Sequence, residues 1–174
     1  MTYKDAVTQI LEKYSQKHPE CRFIGYNTAK GSRMYSTLNS IDEEKCIECP
    51  VAENLMLGMA VGMALDGMRP VVCYERHDFL LLALDALVNH VDKLPYLSGD
   101  QFKLPIIIRA IVGSKSPLDP GPQHSMDYTD QLQGMLKNTP VYIPSTLGHF
   151  VNAWGHVGRS PSGAVVVVEY RDKY

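Results

Sequence analysis

The stretch PVAENLMLGMAVGMALDGMRPVV, residues 50–72, holds the alternation from which the fold can be read. After Pro50, the run from Val51 to Asp66 is helix-like, with Gly58 and Gly62 four residues apart among Leu, Met, Ala and Val. Glycines at that spacing strip the side chains from one helical face, so a neighbouring backbone can approach it. Gly67 is placed to end the helix, and Pro70 to Tyr74 reads as the strand that follows. Working outward, Ala6, Val7, Ile10, Leu11 and Tyr14 fall at helical spacing within residues 5–16, and Arg22 to Tyr26 reads as a strand. The segment Asn27 to Asn39, rich in Gly, Ser, Thr and Asn, reads as a loop, and residues 45–49 as another short strand. Downstream the pattern repeats: helix Asp78 to Lys93, strand Pro105 to Ile111, helix near Tyr128 to Leu136, strand Val141 to Ile143, helix Leu147 to Val157, strand Ala164 to Glu169. Continuous apolar runs such as Ile106 to Ile108 and Val165 to Val168 suit strands covered on both faces. The expected fold is therefore α/β, a three-layer α/β/α sandwich around a mostly parallel sheet, forming one domain over residues 1–174. Ligands of such sheets sit beyond the carboxyl ends of the strands, which directs attention to loops 27–40, 75–79 and 112–125 and to Glu53 on the same rim.

A chain of 174 residues that is 45% hydrophobic and 21% charged has enough apolar content for an ordinary core. Its formal charge of −2 and the absence of a long Lys/Arg run argue against nucleic acid as a partner. The opening residues show neither a signal-peptide pattern nor an apolar span of membrane length, so a cytoplasmic protein without membrane attachment is expected. Cys46 and Cys49 have CxxC spacing. A structural zinc site would want a second such pair, and a redox dithiol would want a helix start after a strand. The four cysteines are read as plain, largely buried thiols, and no metal site is expected.

The ordered set Pro50-Val51-Ala52-Glu53, Gly58 to Ala64 and Gly67-Met68-Arg69-Pro70-Val71 resembles the transketolase-like pyrimidine-binding family, in particular the beta subunit of 2-oxo acid dehydrogenase first components. Asp78-Phe79, Asp85, Asn89, Lys93, Ser98-Gly99, Pro105 to Arg109, Gln123-His124-Ser125 and the strand Val165 to Glu169 extend the resemblance over most of the chain. Where the family usually carries an acidic residue after its first strand, this chain has Gly25-Tyr26-Asn27-Thr28.

The resemblance implies thiamine diphosphate as cofactor and assigns Glu53 the task of hydrogen bonding to the pyrimidine ring nitrogen, which favours the imino tautomer that activates the cofactor. Leu55, Met56 and Leu57 would supply an apolar setting, although a first-turn glutamate also simply favours the helix dipole. Phe79 matches a position whose ring packs on the aminopyrimidine, with Val51 and Glu75 beside the same ring. His124 would face the substrate side of the cofactor as acid, base or oxyanion donor. Glu75, Arg76 and His77 make the rim unusually polar. His77 and Lys115, the latter in the stiff, proline-rich segment Ser114 to Pro122, are the substrate-side candidates.

The diphosphate and Mg2+ are held in this family by a module with a Gly-Asp-Gly motif, and Ser98-Gly99-Asp100-Gln101 is no substitute for it. The resemblance thus implies an alpha-like partner subunit that carries the motif, in a heterotetramer. It also implies decarboxylation or two-carbon transfer on a 2-oxo acid or ketose; a non-catalytic scaffold or cofactor-sensing role is the alternative.

Overall fold

The computed structural model describes residues 1–174. Six strands, β1 (Cys21–Gly25), β2 (Cys46–Glu48), β3 (Arg69–Tyr74), β4 (Ile107–Val112), β5 (Val141–Tyr142) and β6 (Val165–Tyr170), form one sheet in the order β2-β1-β3-β4-β6-β5. Every pairing is parallel. The helices are α1 (Tyr3–Lys17), α2 (Glu53–Leu65), α3 (His77–Leu80), α4 (Leu94–Leu97), α5 (Thr129–Met135) and α6 (Leu147–Gly155).

Strand alternation divides the core in two. Ile24, Val72, Ile108, Ala110, Val166 and Val168 point to a layer that includes Met56, Leu57 and Ala60 of α2 and Leu132 of α5. Phe23, Val71, Ile107, Ile111, Val165 and Val167 point to the opposite layer, with Val7, Ile10 and Leu11 of α1 and Phe150 of α6. Each Val, Leu, Ile, Phe or Met side chain among them contributes about 1.5–3 kcal/mol when taken fully out of water, so both faces of the central strands hold the sandwich together. This is the expected α/β/α arrangement, and the sheet is wholly parallel.

The amino terminus of α1 is closed by a capping box between Thr2 and Asp5. Gly67 ends α2 as expected: at φ 90° it lets the Met68 N–H reach the Met63 carbonyl at 3.0 Å, a Schellman closure. The long helix expected over residues 78–93 is instead a chain of three geometries, α3, then a 3-10 turn at Leu81–Ala83, then a π-helical turn at Asp85–Val91. It ends on buried Asp92, whose carboxylate accepts from the backbone N–H groups of Lys137, Asn138 and Thr139 and so fixes the entry into β5.

The loop after β1 departs most from a simple connection. Arg33, Met34, Tyr35 and Ser36 all have positive φ, 45° to 66°, an unfavourable left-handed run for residues with a Cβ. Burial of Met34 and Leu38 against the α1 face of the sheet holds it in place.

Candidate active site

At the carboxyl edge of β1 and β3 lies a cavity of about 230 Å³ lined by Tyr26, Val51, Glu53, Met56, Cys73, Tyr74, Glu75 and Phe79. Parallel strand ends create the crevice, and α2 starts beside it, so the first residue of the helix faces the opening. Four expected residues, Val51, Glu53, Glu75 and Phe79, are brought together here.

Glu53 is 8% exposed. Its backbone carbonyl accepts the Tyr74 hydroxyl at 3.0 Å, which ties the start of α2 to the end of β3. None of the four ion pairs of the chain uses its carboxylate. An acid at a cavity wall with no cationic partner in its own chain keeps its acceptors available to a ligand. Burial, with Glu53 alongside, pushes the Tyr74 hydroxyl far above the ordinary tyrosine range, so it stays a neutral donor. Burial also lifts the Cys73 thiol to about 11, which makes it a wall of the cavity rather than a nucleophile.

Glu75 lines the same cavity with its carboxylate occupied: Oε2 accepts from Asn27 Nδ2 at 2.9 Å and Oε1 from Ser32 Oγ at 2.7 Å. Glu48, at the end of β2, accepts from four successive backbone N–H groups, those of Asn27, Thr28, Ala29 and Lys30, at 2.8 to 3.1 Å. Burial alone would raise its pKa; the four donors outweigh that and hold it below the usual carboxylate range. Together these two acids set the loop that carries Tyr26 over the cavity.

Phe79 meets the His124 ring edge to face, 5.4 Å between centroids, so the histidine expected from the 112–125 loop stands next to the cavity. Gly113 makes that placement possible, because a Cβ there would lie 1.8 Å from the His124 carbonyl oxygen. His77 differs from the expectation of a polar rim. It is fully buried, its Nδ1 faces the Tyr128 N–H at 3.4 Å and Asp127 Oδ1 at 3.5 Å, and its ring lies edge to face with Tyr128. The first turn of α3 turns it inward, where this loop supplies partners that solvent would otherwise provide. Lys115 is exposed and lines neither this cavity nor the adjoining cleft.

That cleft, about 310 Å³, is walled by Tyr35, Arg76, Ser114, Ser116 and Arg171 among others. Arg76 and Arg171 both lie over the Tyr35 ring, at 5.5 and 4.4 Å. Burial and the neighbouring Arg171 hold the Arg76 pKa below its ordinary value. Sequence reasoning missed Tyr26, Cys73 and Tyr74 as lining residues; of the three neighbours expected to give Glu53 an apolar setting, Met56 lines the cavity, whereas Leu57 is buried in the core and Leu55 is exposed.

On α2, Leu55, Gly58, Gly62 and Leu65 form an open face: the two leucines are 51% and 48% exposed, and nothing lies within 4 Å of a Cβ added at either glycine. No segment of this chain approaches the glycines. All four cysteines are free, with Cys21, Cys49 and Cys73 buried and Cys46 half-buried. No helix is long and apolar enough to cross a membrane.

Comparison with known proteins gives a consistent lineage. The chain is 29% identical over 140 residues to the pyruvate dehydrogenase E1 component subunit beta of Chaetosphaeridium globosum, covering 78% of this chain and 41% of that protein. It is 36% identical over 140 residues to the chloroplastic subunit beta-4 of Oryza sativa subsp. japonica, covering 78% and 34% respectively. The chain thus spans less than half the length of these relatives. Among solved structures it resembles a split-gene transketolase described as an inactive beta4 tetramer, with TM-score 0.71 at 19% identity over 98% of this chain and 52% of that one. It also resembles the transketolase of Campylobacter jejuni subsp. jejuni, with TM-score 0.78 at 16% identity over 98% and 26%. The family description "Transketolase, pyrimidine binding domain" matches residues 1–174, and the chain belongs to that family.

Proposed function

We propose that this chain is the pyrimidine-binding subunit of a two-chain thiamine-diphosphate enzyme acting on a 2-oxo acid or a ketose, by decarboxylation or two-carbon transfer. The observation that carries the reading is Glu53: a buried carboxylate without a cationic partner, at the wall of a largely apolar cavity edged by Phe79. Those residues fit the aminopyrimidine half of the cofactor, which needs a flat apolar slot with one hydrogen-bonding acid. When bound, thiamine diphosphate supplies an acidic thiazolium carbon that adds to a substrate carbonyl. Glu53 would hold a proton between its carboxylate and the pyrimidine ring nitrogen. Phe79 and Val51 would hold the ring plane, and Met56 and Tyr74 would keep water out. Glu75, already satisfied by Asn27 and Ser32, would fix the ring edge through a rigid wall. His124 would hold or move a proton on the substrate side, while Arg76 and Arg171 would meet substrate negative charge.

Diphosphate and Mg2+ would be held by an alpha-like partner carrying a Gly-Asp-Gly motif, in a heterotetramer, with the cytoplasm as the expected location. The open Leu55/Gly58/Gly62/Leu65 face of α2, which begins at Glu53, supports a partner's backbone packing beside the cofactor. The test is to recover the partner by co-purification, reconstitute the pair and compare it with its Glu53→Gln form. Glu53→Gln is expected to lose about 10²–10⁴-fold in turnover while assembling normally by sedimentation. Undiminished turnover in that variant defeats the assignment. Failure of thiamine diphosphate to bind in calorimetry under any pairing leaves the chain a scaffold.

A further inference from the structure

A second cavity, of about 370 Å³, opens between α1 and α6. Its wall includes Arg69, the first residue of β3, whereas Cys73 and Tyr74 at the far end of that strand line the Glu53 cavity. Five residues of strand, roughly 17 Å, therefore separate the two, and a ligand in the second cavity is independent of the proposed reaction.

The wall carries Lys13, Lys17, His18, Arg69 and Arg159 and no carboxylate, in a chain whose net charge is −2. Part of this charge is compensated. Arg69 Nε donates to the Tyr14 hydroxyl at 3.2 Å and lies 3.9 Å from Glu20, which also meets His18 Nδ1 at 3.2 Å. Lys13, Lys17 and Arg159 take part in none of the ion pairs of the chain. The carboxyl ends of α1 and α6 add about half a negative charge each. Four permanent cations against Glu20 and two helix ends leave an excess of about two positive charges. His18 stays out of that sum, because burial and the nearby Arg69 hold its pKa below the ordinary value.

The remaining wall is apolar and aromatic. Ile10, Val151 and Trp154 contribute to it, and Tyr14 meets Trp154 edge to face at 4.9 Å. Trp154 is 5% exposed, and its Nε1–H finds no acceptor in the chain. A tryptophan N–H that is buried usually has a partner. An excess of about two positive charges matches a phosphate monoester, which carries about −1.5 to −2 at neutral pH. The volume suits a small molecule rather than a polymer. We propose that this cavity is a second ligand site, one that takes a phosphomonoester with a compact apolar or aromatic body, its phosphate on Lys13, Lys17 and Arg159 and its body against Tyr14 and Trp154.

Trp154 is the one tryptophan of the chain, so its fluorescence reports on the site directly. Titration of the full chain with phenyl phosphate is expected to give a saturable change in that fluorescence, weakened by added salt. The double variant Lys13→Gln/Arg159→Gln, both positions away from the core, should melt as the parent does and bind at least about tenfold more weakly. Inorganic phosphate, which cannot use the apolar wall, should bind more weakly than phenyl phosphate. No saturable fluorescence change together with no binding heat in calorimetry overturns the proposal, as does unimpaired binding by the double variant. Equal affinity for the two phosphates removes the ligand class proposed.

Discussion

Glu48 and Glu53 stand on either side of Pro50, one closing β2 and the other opening α2, and their carboxylates are in opposite states. Glu48 is filled by four N–H donors from its own chain, whereas Glu53 has no cationic partner and borders a cavity. A satisfied acid is a strut: it lowers the energy of one loop shape and has nothing left to offer a ligand. An acid that borders a cavity without a partner in its own chain does the reverse, keeping its acceptors free for whatever arrives. The same residue type thus builds the wall of the site in one place and supplies its chemistry in the other. The difference lies in which hydrogen bonds are already made rather than in burial alone.

The largest test of that contrast is a filled acid that is fully buried, Glu169. Fully buried, it accepts from Arg109 Nε at 2.7 Å and Nη2 at 2.9 Å and from the Tyr174 hydroxyl. Burial opposes the charge on Arg109, but Glu169 outweighs it and holds the guanidinium pKa well above its ordinary value. Arg109→Met strands the carboxylate and should cost about 3–5 kcal/mol in urea unfolding. Arg109→Met/Glu169→Leu should recover most of that loss, because no buried charge is then left alone. If the double variant is no more stable than the single one, the pair is not what holds this part of the sheet.

Next in size is the direct comparison of the two acids. Glu48→Gln keeps the shape but turns one acceptor oxygen into a donor, which must face either the Asn27 N–H at Oε1 or those of Thr28, Ala29 and Lys30 at Oε2, at a cost of about 2 kcal/mol. It should also speed proteolysis within residues 27–36. Glu53→Gln should leave unfolding within about 0.5 kcal/mol of the parent or slightly more stable. Equal destabilisation by the two would show that Glu53 is held by the fold after all, and the contrast would fail.

Legibility in the sequence divides along the same line. α2, β3 and the runs at Ile106 and Val165 could be read because their apolar residues recur within a few positions, whereas Glu53, Val51 and Phe79 were picked out by the family resemblance and not by that pattern. Since α2 is apolar nearly all round, periodicity did not reveal its open face; the Gly58/Gly62 pair pointed to a neighbouring backbone, which no segment of this chain supplies. The loop at 27–39 was legible as a loop, but its shape was not, because the left-handed run at Arg33 to Ser36 has no signature in the local sequence. Glu48 and Glu75, many residues downstream, supply the acceptors, and a lone acid at a strand end looks like any solvated one. Glu75 was expected to serve the cofactor and does line the cavity, but its oxygens are spent on Asn27 and Ser32. His77 was misplaced for a related reason: its partners, Tyr128 N–H and Asp127, lie about fifty residues on.

The contrast between filled and unfilled groups extends to substrate binding. Arg171 stacks on Tyr35 and pairs with no acid, so it belongs with Glu53 among the unfilled groups. Arg171→Gln in the reconstituted pair should raise KM for an anionic substrate about tenfold with turnover little changed, whereas a loss confined to turnover would place Arg171 elsewhere in the reaction.

His77 is the intermediate case and carries the smallest effect. One ring nitrogen has the Tyr128 N–H, and the other, Nε2, is buried without a partner. Burial holds its pKa below the ordinary 6.5, with Asp127 and Asp78 opposing in part. For Asp127 itself burial raises the pKa, but bonds from Thr129 and Tyr170 outweigh this and keep it an anion well below neutral pH. As pH falls below 6.5 the unfolded chain takes up the proton before the folded one does. The stabilisation due to neutral His77 is therefore complete above 6.5 and declines until the folded-state pKa is passed. His77→Asn keeps an acceptor toward Tyr128 and cannot titrate, so the fall in Tm between about pH 7.5 and 5.5 should be shallower in that variant. An identical slope would place the acid sensitivity at another residue, His18 being the next candidate, since burial and Arg69 depress it too.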